Sequence, residues 1–388
     1  MSPAPGQPVA WPAPALERGA MATVDLGALQ HNLAVVRERA GVPAMAVVKA
    51  DAYGHGLVEC GRAAIAGGAS WLGVALPTEA VRLRDAGVQG RVLTWLEVPG
   101  APFEGCLERD IDVTVSAPWA LAGVLDAARS LGRTARIQLK VDTGLSRNGS
   151  TFADWPALVA QARDAEREGL VRVTGVWTHF ACADEPTHPS VERQLDVFGE
   201  AVQIARLAGL EPEVVHAANS PAALGIPAAR FDLVRTGIAM YGLSPGPAIG
   251  SAAELGLRPV MTLRGRLASV KRVPSGSGVS YGHSYVTQRE TTLGVVPLGY
   301  GDGIPRAASN VAPVLAAGAV RPIAGRVCMD QIVLDLGDDA AAPGDDVVLF
   351  GEGGPSADDW AAACGTIGYE IVTRIGPRVP RVHVGGAP

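Results

Sequence analysis

The sequence predicts a (β/α)8 TIM-like barrel followed by a mainly β C-terminal domain, and three observations carry that prediction. Eight short apolar runs recur through the first two-thirds of the 388-residue chain. Amphipathic segments with helix punctuation separate them. After Gly246 the pattern changes to short β-rich runs between Gly, Pro and Ser turns. The length itself suits two domains or one barrel with an appendage.

The strand candidates are 44–49, 71–75, 91–95, 112–116, 135–141, 171–179, 213–217 and 233–239. Most are continuous apolar runs, as expected of strands buried on both faces of a parallel sheet. Between them, Asp25 is placed to cap a helix whose face is Leu29, Leu33 and Val36. Ser116 is placed to cap another, with Pro118 in its first turn, Leu121, Val124, Leu125 and Ala128 on one face, and Gly132 beyond its end. Eight strands alternating with helices favour a closed barrel over a doubly wound sheet. We divide the chain into a flexible leader and N-terminal strand (1–22), the barrel (23–256) and the mainly β domain (257–388). The last contains β-rich segments at 261–273, 291–298, 313–320 and 345–350 and a helix at 356–363.

Composition narrows the function. The net charge is −6 and no Lys/Arg cluster stands out, which argues against a nucleic-acid partner. No apolar run reaches the length needed to span a bilayer. The first twenty residues are Pro- and Ala-rich without a basic stretch leading into an apolar one, so we do not read them as a secretion signal. Five cysteines, odd in number, scattered and without zinc-ligand spacing, suggest reduced thiols, a cytoplasmic location and no structural metal.

The most informative stretch is Ala44-Met45-Ala46-Val47-Val48-Lys49, continued by Ala50-Asp51-Ala52-Tyr53-Gly54-His55-Gly56. An apolar run here delivers an amine, then a tyrosine, then a glycine-flanked turn. A lysine held where water is scarce has its charged form penalised, so its pKa falls. The neutral amine can form a Schiff base with an aldehyde cofactor and later act as a base. From charge alone, a lysine ending an edge strand and pointing into solvent is the simpler reading. A barrel puts its site at the C-terminal ends of the strands. There the sequence puts Lys49 on the first strand, Lys140 on the fifth, His179 on the sixth and Asn219-Ser220 on the seventh. Arg235, Gly237 and Ile238 belong to the eighth.

The stretch from Ala46 to Gly56 resembles the cofactor-lysine signature of pyridoxal-phosphate alanine racemases. Later segments resemble the same family in the same order, from about Thr23 to Arg381. The resemblance implies a homodimer that binds pyridoxal 5'-phosphate and interconverts L- and D-alanine, supplying D-alanine for peptidoglycan. It assigns Lys49 as the Schiff-base lysine and one proton-transfer base. Tyr281, in Val279-Ser280-Tyr281-Gly282, serves the opposite face from the partner subunit. By the same resemblance Tyr53, Ser220, Gly237 and Ile238 hold the phosphate, with Asn219 beside them. Arg147 contacts the cofactor oxygen and the substrate carboxylate, which the Met329 backbone also helps hold. The lysine matching Lys140 is often carbamylated in that family.

Some of these roles have physical consequences. Arginine only donates, so Arg235 facing a pyridine nitrogen leaves that nitrogen unprotonated and the ring a weaker electron sink. That favours proton transfer over transamination or decarboxylation. The bland reading of Arg235 is an ion pair with Asp232, and that of Ser220 a helix cap. A free tyrosine has a pKa of about 10, so Tyr281 needs a cationic or hydrogen-bonding neighbour, for which His179 is the candidate. An unmodified Lys140 close to Arg147 requires something to neutralise it. One departure stands out: where many family members have a phosphate-contacting tyrosine, this chain has Pro377, which offers neither hydroxyl nor N–H. Alternatives are a racemase for serine or larger amino acids, a decarboxylase of the same fold, and a cofactor carrier without chemistry.

Overall fold

The structure, a computed structural model, describes residues 11–386. A short helix, Ala13–Arg18, leads into β1 (Ala20–Asp25). The barrel strands are β2 (Ala44–Val47), β3 (Trp71–Val74), β4 (Arg91–Thr94), β5 (Asp112–Val115), β6 (Ala135–Lys140), β7 (Val171–Trp177), β8 (Val214–His216) and β9 (Val234–Thr236). They pair in parallel in the order β8-β7-β6-β5-β4-β3-β2-β9. The seam between β8 and β9 is bridged by Arg235 N–H to Ala218 O at 2.9 Å and Asp232 N–H to Val215 O at 3.1 Å. The sheet is therefore a nearly closed barrel. The connecting helices cover the outer face of its strands and the packed barrel interior covers the inner face, and this explains the continuous apolar runs.

Asp25 caps the helix Leu26–Ala40 by accepting from Ala28 N–H at 2.9 Å. Ser116 does not cap the next predicted helix. Pro118–Leu131 starts after Ala117, whose side chain has no acceptor, and Pro118, which has no N–H to satisfy, opens it. The floor of the barrel is charged, which the apolar pattern does not announce. Asp112 is fully buried on β5, where it meets Arg91 and Arg136, each at 2.8 Å, and accepts from the Thr174 hydroxyl at 2.8 Å.

The second domain contains β10 (Met261–Arg266), β11 (Ser269–Val273), β12 (Gly278–Val279), β13 (Tyr285–Val286), β14 (Thr291–Val296), β15 (Pro313–Ala316), β16 (Ala319–Pro322), β17 (Ile332–Gly337), β18 (Asp346–Phe350) and β19 (Arg381–Val384). Its six-stranded sheet runs β16-β15-β18-β10-β1-β19, so a strand from the N-terminus sits inside it. β1 lies antiparallel to β10 and parallel to β19. Ser356 caps the helix Ala357–Cys364. A further helix, Gly368–Thr373, was not legible in the sequence. One buried apolar cluster runs from the barrel into this domain, joining Leu29 and Tyr241 to Leu263 and Trp360. Of the expected flexible leader, residues 1–10 lie outside the described residues, whereas Ala13–Arg18 is a helix closed by the left-handed Gly19 and runs directly into β1.

Candidate active site

A cavity of about 820 Å³ opens at the C-terminal ends of the barrel strands. Its walls bring together Lys49, Tyr53, Lys140, Arg147, His179, Asn219, Ser220, Arg235, Gly237 and Ile238. Tyr281 and Met329 are not among the lining residues.

Lys49 does not end a strand. β2 stops at Val47, and Lys49 opens the short segment Lys49–Gly54. The next four residues, Ala50 to Tyr53, have φ of 53–55°, a left-handed turn made without glycine. L-residues resist this conformation by roughly 1–2 kcal/mol each, so neighbours must hold it. Glu79 is one of them. Its carboxylate accepts from Ala50 N–H at 2.6 Å and from Ala75 and Leu76 N–H, each at 3.1 Å. The turn sets the Lys49 Nζ 6.0 Å from the Tyr53 ring centre. Burial, reinforced by the Arg147 charge, lowers the Lys49 pKa below its ordinary value. The solvent-pointing reading of Lys49 therefore fails.

Arg235 is buried, and its guanidinium donates to Nδ1 of His216 at 2.9 Å, to Nδ1 of His179 at 3.3 Å, and to the carbonyls of Thr178 (2.8 Å) and Ala217 (2.9 Å). Asp232 is not its partner, because that carboxylate accepts from Val215 N–H at 2.9 Å. Arginine has only donors, so Nδ1 accepts in both histidines and each is the Nε2–H tautomer. For His216 this is consistent with its 2.8 Å bond to Gln138 Oε1. Burial and the Arg235 charge push both histidines well below their ordinary pKa, so both are neutral at pH 7. Burial pulls Arg235 down to about 9, which leaves it cationic at pH 7.

Trp177, at the end of β7, forms the wall these groups share. His216 stacks on it at 5.5 Å, and the cations of Lys140 and Arg235 lie 4.3 and 4.8 Å from its ring centre. Lys140 is almost fully buried, and burial followed by the Arg235 charge brings its pKa to about 7. Loss of a proton is thus one way that the repulsion between Lys140 and Arg147 is relieved. Arg147 sits on a loop gathered by Asp142, whose Oδ1 accepts from Gly144, Leu145 and Ser146 N–H at 2.9, 3.0 and 3.1 Å.

At the other end of the cavity Ser220, Gly237 and Tyr53 form a cup. Asn219, not Ser220, caps the helix Ser220–Gly225, accepting from Ala222 N–H at 3.2 Å. That leaves Ser220 Oγ to accept from Gly237 N–H at 2.8 Å. A Cβ at Gly237 would lie 2.4 Å from the Tyr53 hydroxyl, so glycine is what lets tyrosine and backbone approach.

Two family descriptions match the chain: alanine racemase N-terminal domain over residues 24–245 and alanine racemase C-terminal domain over residues 260–383. An alanine racemase of Streptomyces coelicolor is 59% identical over 374 residues, 94% of this chain and 96% of that protein. The crystal structure of alanine racemase from D-cycloserine-producing Streptomyces lavendulae matches with a TM-score of 0.94 at 58% identity, covering 95% of this chain and 97% of that one. The chain belongs to the alanine racemase family. A Bacillus anthracis alanine racemase solved with bound L-Ala-P also matches, at TM-score 0.85 and 34% identity over 95% of both chains.

In this alanine racemase-family fold, the residues absent from the cavity wall have a common place. Tyr281 is 71% exposed and Met329 53% exposed, both on the second domain. Ser280 links their segments, donating from Oγ to Arg326 O at 2.6 Å and lying 3.1 Å from Cys328 Sγ. Sequence reasoning missed Trp95 and Trp177 in the wall and set Tyr369 aside, because its motif position differs from that of the family's tyrosine; all three line the cavity. Tyr369 comes from the unpredicted helix and lies 6.3 Å from Tyr53, ring centre to ring centre. Pro377 does not line the cavity, whereas Tyr369 does. Among the described residues no group of His, Cys, Asp or Glu is arranged to hold a metal ion, and no helix is long and apolar enough to cross a membrane. All five cysteines are free.

Proposed function

We propose that this chain is an alanine racemase that interconverts L- and D-alanine with pyridoxal 5'-phosphate, working as a homodimer in the cytoplasm and supplying D-alanine for peptidoglycan. The observation that carries the reading is Arg235, a buried cation directed by two neutral histidines and two carbonyls in the cavity that also holds the Lys49 amine.

The residues fit the cofactor. The cup of Tyr53, Ser220, Gly237 and Ile238 offers hydroxyls and backbone N–H to a phosphate, and the close approach at Gly237 leaves no room for a side chain there. Arg147 and Arg235 give the cavity a positive lining suited to an anionic ligand. When bound, the cofactor supplies an aldehyde carbon for an amino group and a conjugated ring that draws electrons from the α-carbon.

The chain's own groups then divide the proton transfer. Lys49, its pKa lowered by burial, accepts and returns a proton at Nζ on one face of the α-carbon. Tyr281 of the partner subunit does the same at its phenolic oxygen on the other face, which accounts for its exposure in the single chain. His179 assists as a neutral Nε2–H donor rather than as a cation, because Arg235 occupies Nδ1. Arg147 holds the substrate carboxylate together with the Met329 backbone N–H of the partner subunit. Arg235, which can only donate, would hold a ring nitrogen of the cofactor unprotonated, and that would favour proton return over side reactions. Lys140, with a pKa near 7, offers a neutral amine to CO2. An N–C bond forms, one proton leaves, and the resulting carbamate carries negative charge beside Arg147.

Mixing two inactive chains tests the shared site. Lys49→Ala and Tyr281→Phe chains, unfolded together and re-paired at random, should recover about a quarter of wild-type activity, since half of the dimers carry one intact site of two. No recovery would place both residues in one chain's site and overturn the two-chain arrangement.

A further inference from the structure

The left-handed turn that carries Lys49 and Tyr53 belongs to the barrel, yet the residues that close on it from the outside come from the last strand of the second domain. Arg381 Nε donates to Gly54 O at 3.0 Å. His383 Nε2 donates to His55 O at 2.8 Å. The rest of the Arg381 guanidinium donates to the carbonyls of Gly376 (2.5 Å), Val379 (2.8 Å) and Ile375, tying the approach to β19 into the same knot. Two glycines make the contact possible. A Cβ at Gly54, whose φ is +81°, would lie 2.6 Å from Val372 O, and one at Gly56, φ +105°, would lie 2.7 Å from the His383 ring.

Inside the turn the bonds are local. His55 Nδ1 lies 2.9 Å from both Ala52 O and Tyr53 O, two acceptors, so it carries the proton. Asp51 Oδ1 accepts from Leu57 N–H at 3.2 Å. These contacts shape the turn without anchoring it to the frame. Anchoring comes from Glu79 at its start, from an exposed Arg82–Asp51 pair at 3.5 Å, and from β19 at its end.

We infer that Arg381 and His383 are positioning residues: the C-terminal strand of the second domain holds the turn after Lys49 left-handed, and so sets where the Lys49 amine and the Tyr53 hydroxyl stand in the cavity. The inference rests on the reading of Lys49 and Tyr53 as cofactor-binding groups, but the brace itself does not. Four consecutive L-residues with positive φ persist only where the surroundings over-determine them. With the brace gone, the turn relaxes toward ordinary backbone, and the two side chains leave their places while the barrel stays folded.

Amide hydrogen exchange on the cofactor-free full chain reads the brace, and titration with pyridoxal 5'-phosphate reads its consequence. In His383→Ala the peptide covering 49–56 should exchange about ten-fold faster, with peptides from β7 unchanged, as for loss of one local restraint. The dissociation constant for the cofactor should rise about ten-fold, near the worth of one hydrogen bond. His383→Gln keeps an N–H donor and should restore both; Arg381→Lys, which loses the fork, should repeat the His383→Ala result. Unchanged exchange at 49–56 in both His383→Ala and Arg381→Lys would overturn the inference. So would faster exchange throughout the chain, which would mark the residues as general stabilisers. Failure of the wild-type chain to take up cofactor would sink the proposed function and leave the exchange comparison standing.

Discussion

The guanidinium of Arg235 donates to Nδ1 of His179 across 3.3 Å, and this contact decides which histidine nitrogen carries the proton. The same side chain fixes His216, which in turn donates to Gln138. One cation thus orders a row of neutral groups from the barrel interior to the cavity. Lysine cannot do this, because one ammonium cannot reach two histidines and two carbonyls in a planar fork. Arg235→Lys should lower kcat/KM for alanine by about 10²-fold, near 3 kcal/mol of transition-state stabilisation. Steady-state kinetics checks it, with the melting temperature as the control for folding.

Tyr281 presents the opposite case, a residue exposed in its own chain and assigned to chemistry elsewhere. Tyr281→Phe should leave thermal stability near wild type while turnover falls about 10²–10⁴-fold in at least one direction, the range of a lost general acid or base. Rates measured separately from L- and D-alanine check this. A phenylalanine variant with wild-type rates in both directions would remove Tyr281 from the mechanism.

The cup at Gly237 has no spare volume, since an added Cβ meets the Tyr53 hydroxyl. Gly237→Ala should weaken cofactor retention about ten-fold, roughly 1.4 kcal/mol, with a smaller effect on kcat at saturating cofactor. Equilibrium dialysis against pyridoxal 5'-phosphate measures the first, and kinetics the second.

Lys140, kept as the free amine by excluding CO2, gives a pH signature in the cofactor-free protein. Its pKa falls from 10.5 to about 7 on folding, so between those values the unfolded chain binds more protons than the folded one. Stability therefore rises with pH across that window, and the contribution is lost as pH falls toward 7. Lys140→Met should flatten the rise in melting temperature between pH 7 and 10, a change that a pH series of thermal scans would detect. An equally steep rise in the variant would mean that Lys140 does not lose its proton on folding.

Much of the barrel was legible because strands buried on both faces are largely apolar, as at Ala44–Val47. The first strand, by contrast, joins a sheet whose partners lie far along the chain, so the residues of Ala20–Asp25 do not themselves announce β10 and β19, and only the family resemblance points the N-terminus toward the second domain. At the site, Lys49 and its neighbours could be read because they are contiguous. Glu79 could not, since its role is to accept N–H groups from two separate loops. Trp177 lies within the apolar run 171–179, and only the packing of His216, Lys140 and Arg235 against it reveals a wall of the cavity. Tyr369 received no role from the sequence because its motif position differs from the family's, and its helix, only six residues long, is too short for a periodic pattern to place it.

The buried carboxylate of Asp112 tests how far the barrel floor supports the rest. Asp112→Ala strands Arg91 and Arg136 without their shared partner and should cost ~3 kcal/mol of stability, the usual scale for breaking a buried pair. Denaturant unfolding measures the loss, and KM for alanine should stay close to wild type because the cavity lies at the other end of the strands.

The central claim is tested most directly by chiral chromatography of the purified, cofactor-loaded protein incubated separately with L-alanine and with a panel of other L-amino acids. The account predicts rapid D-alanine formation to an equal mixture, with the other amino acids slow. Preferred turnover of serine or a larger amino acid would contradict the substrate, and a protein that binds cofactor but racemises nothing would contradict the account.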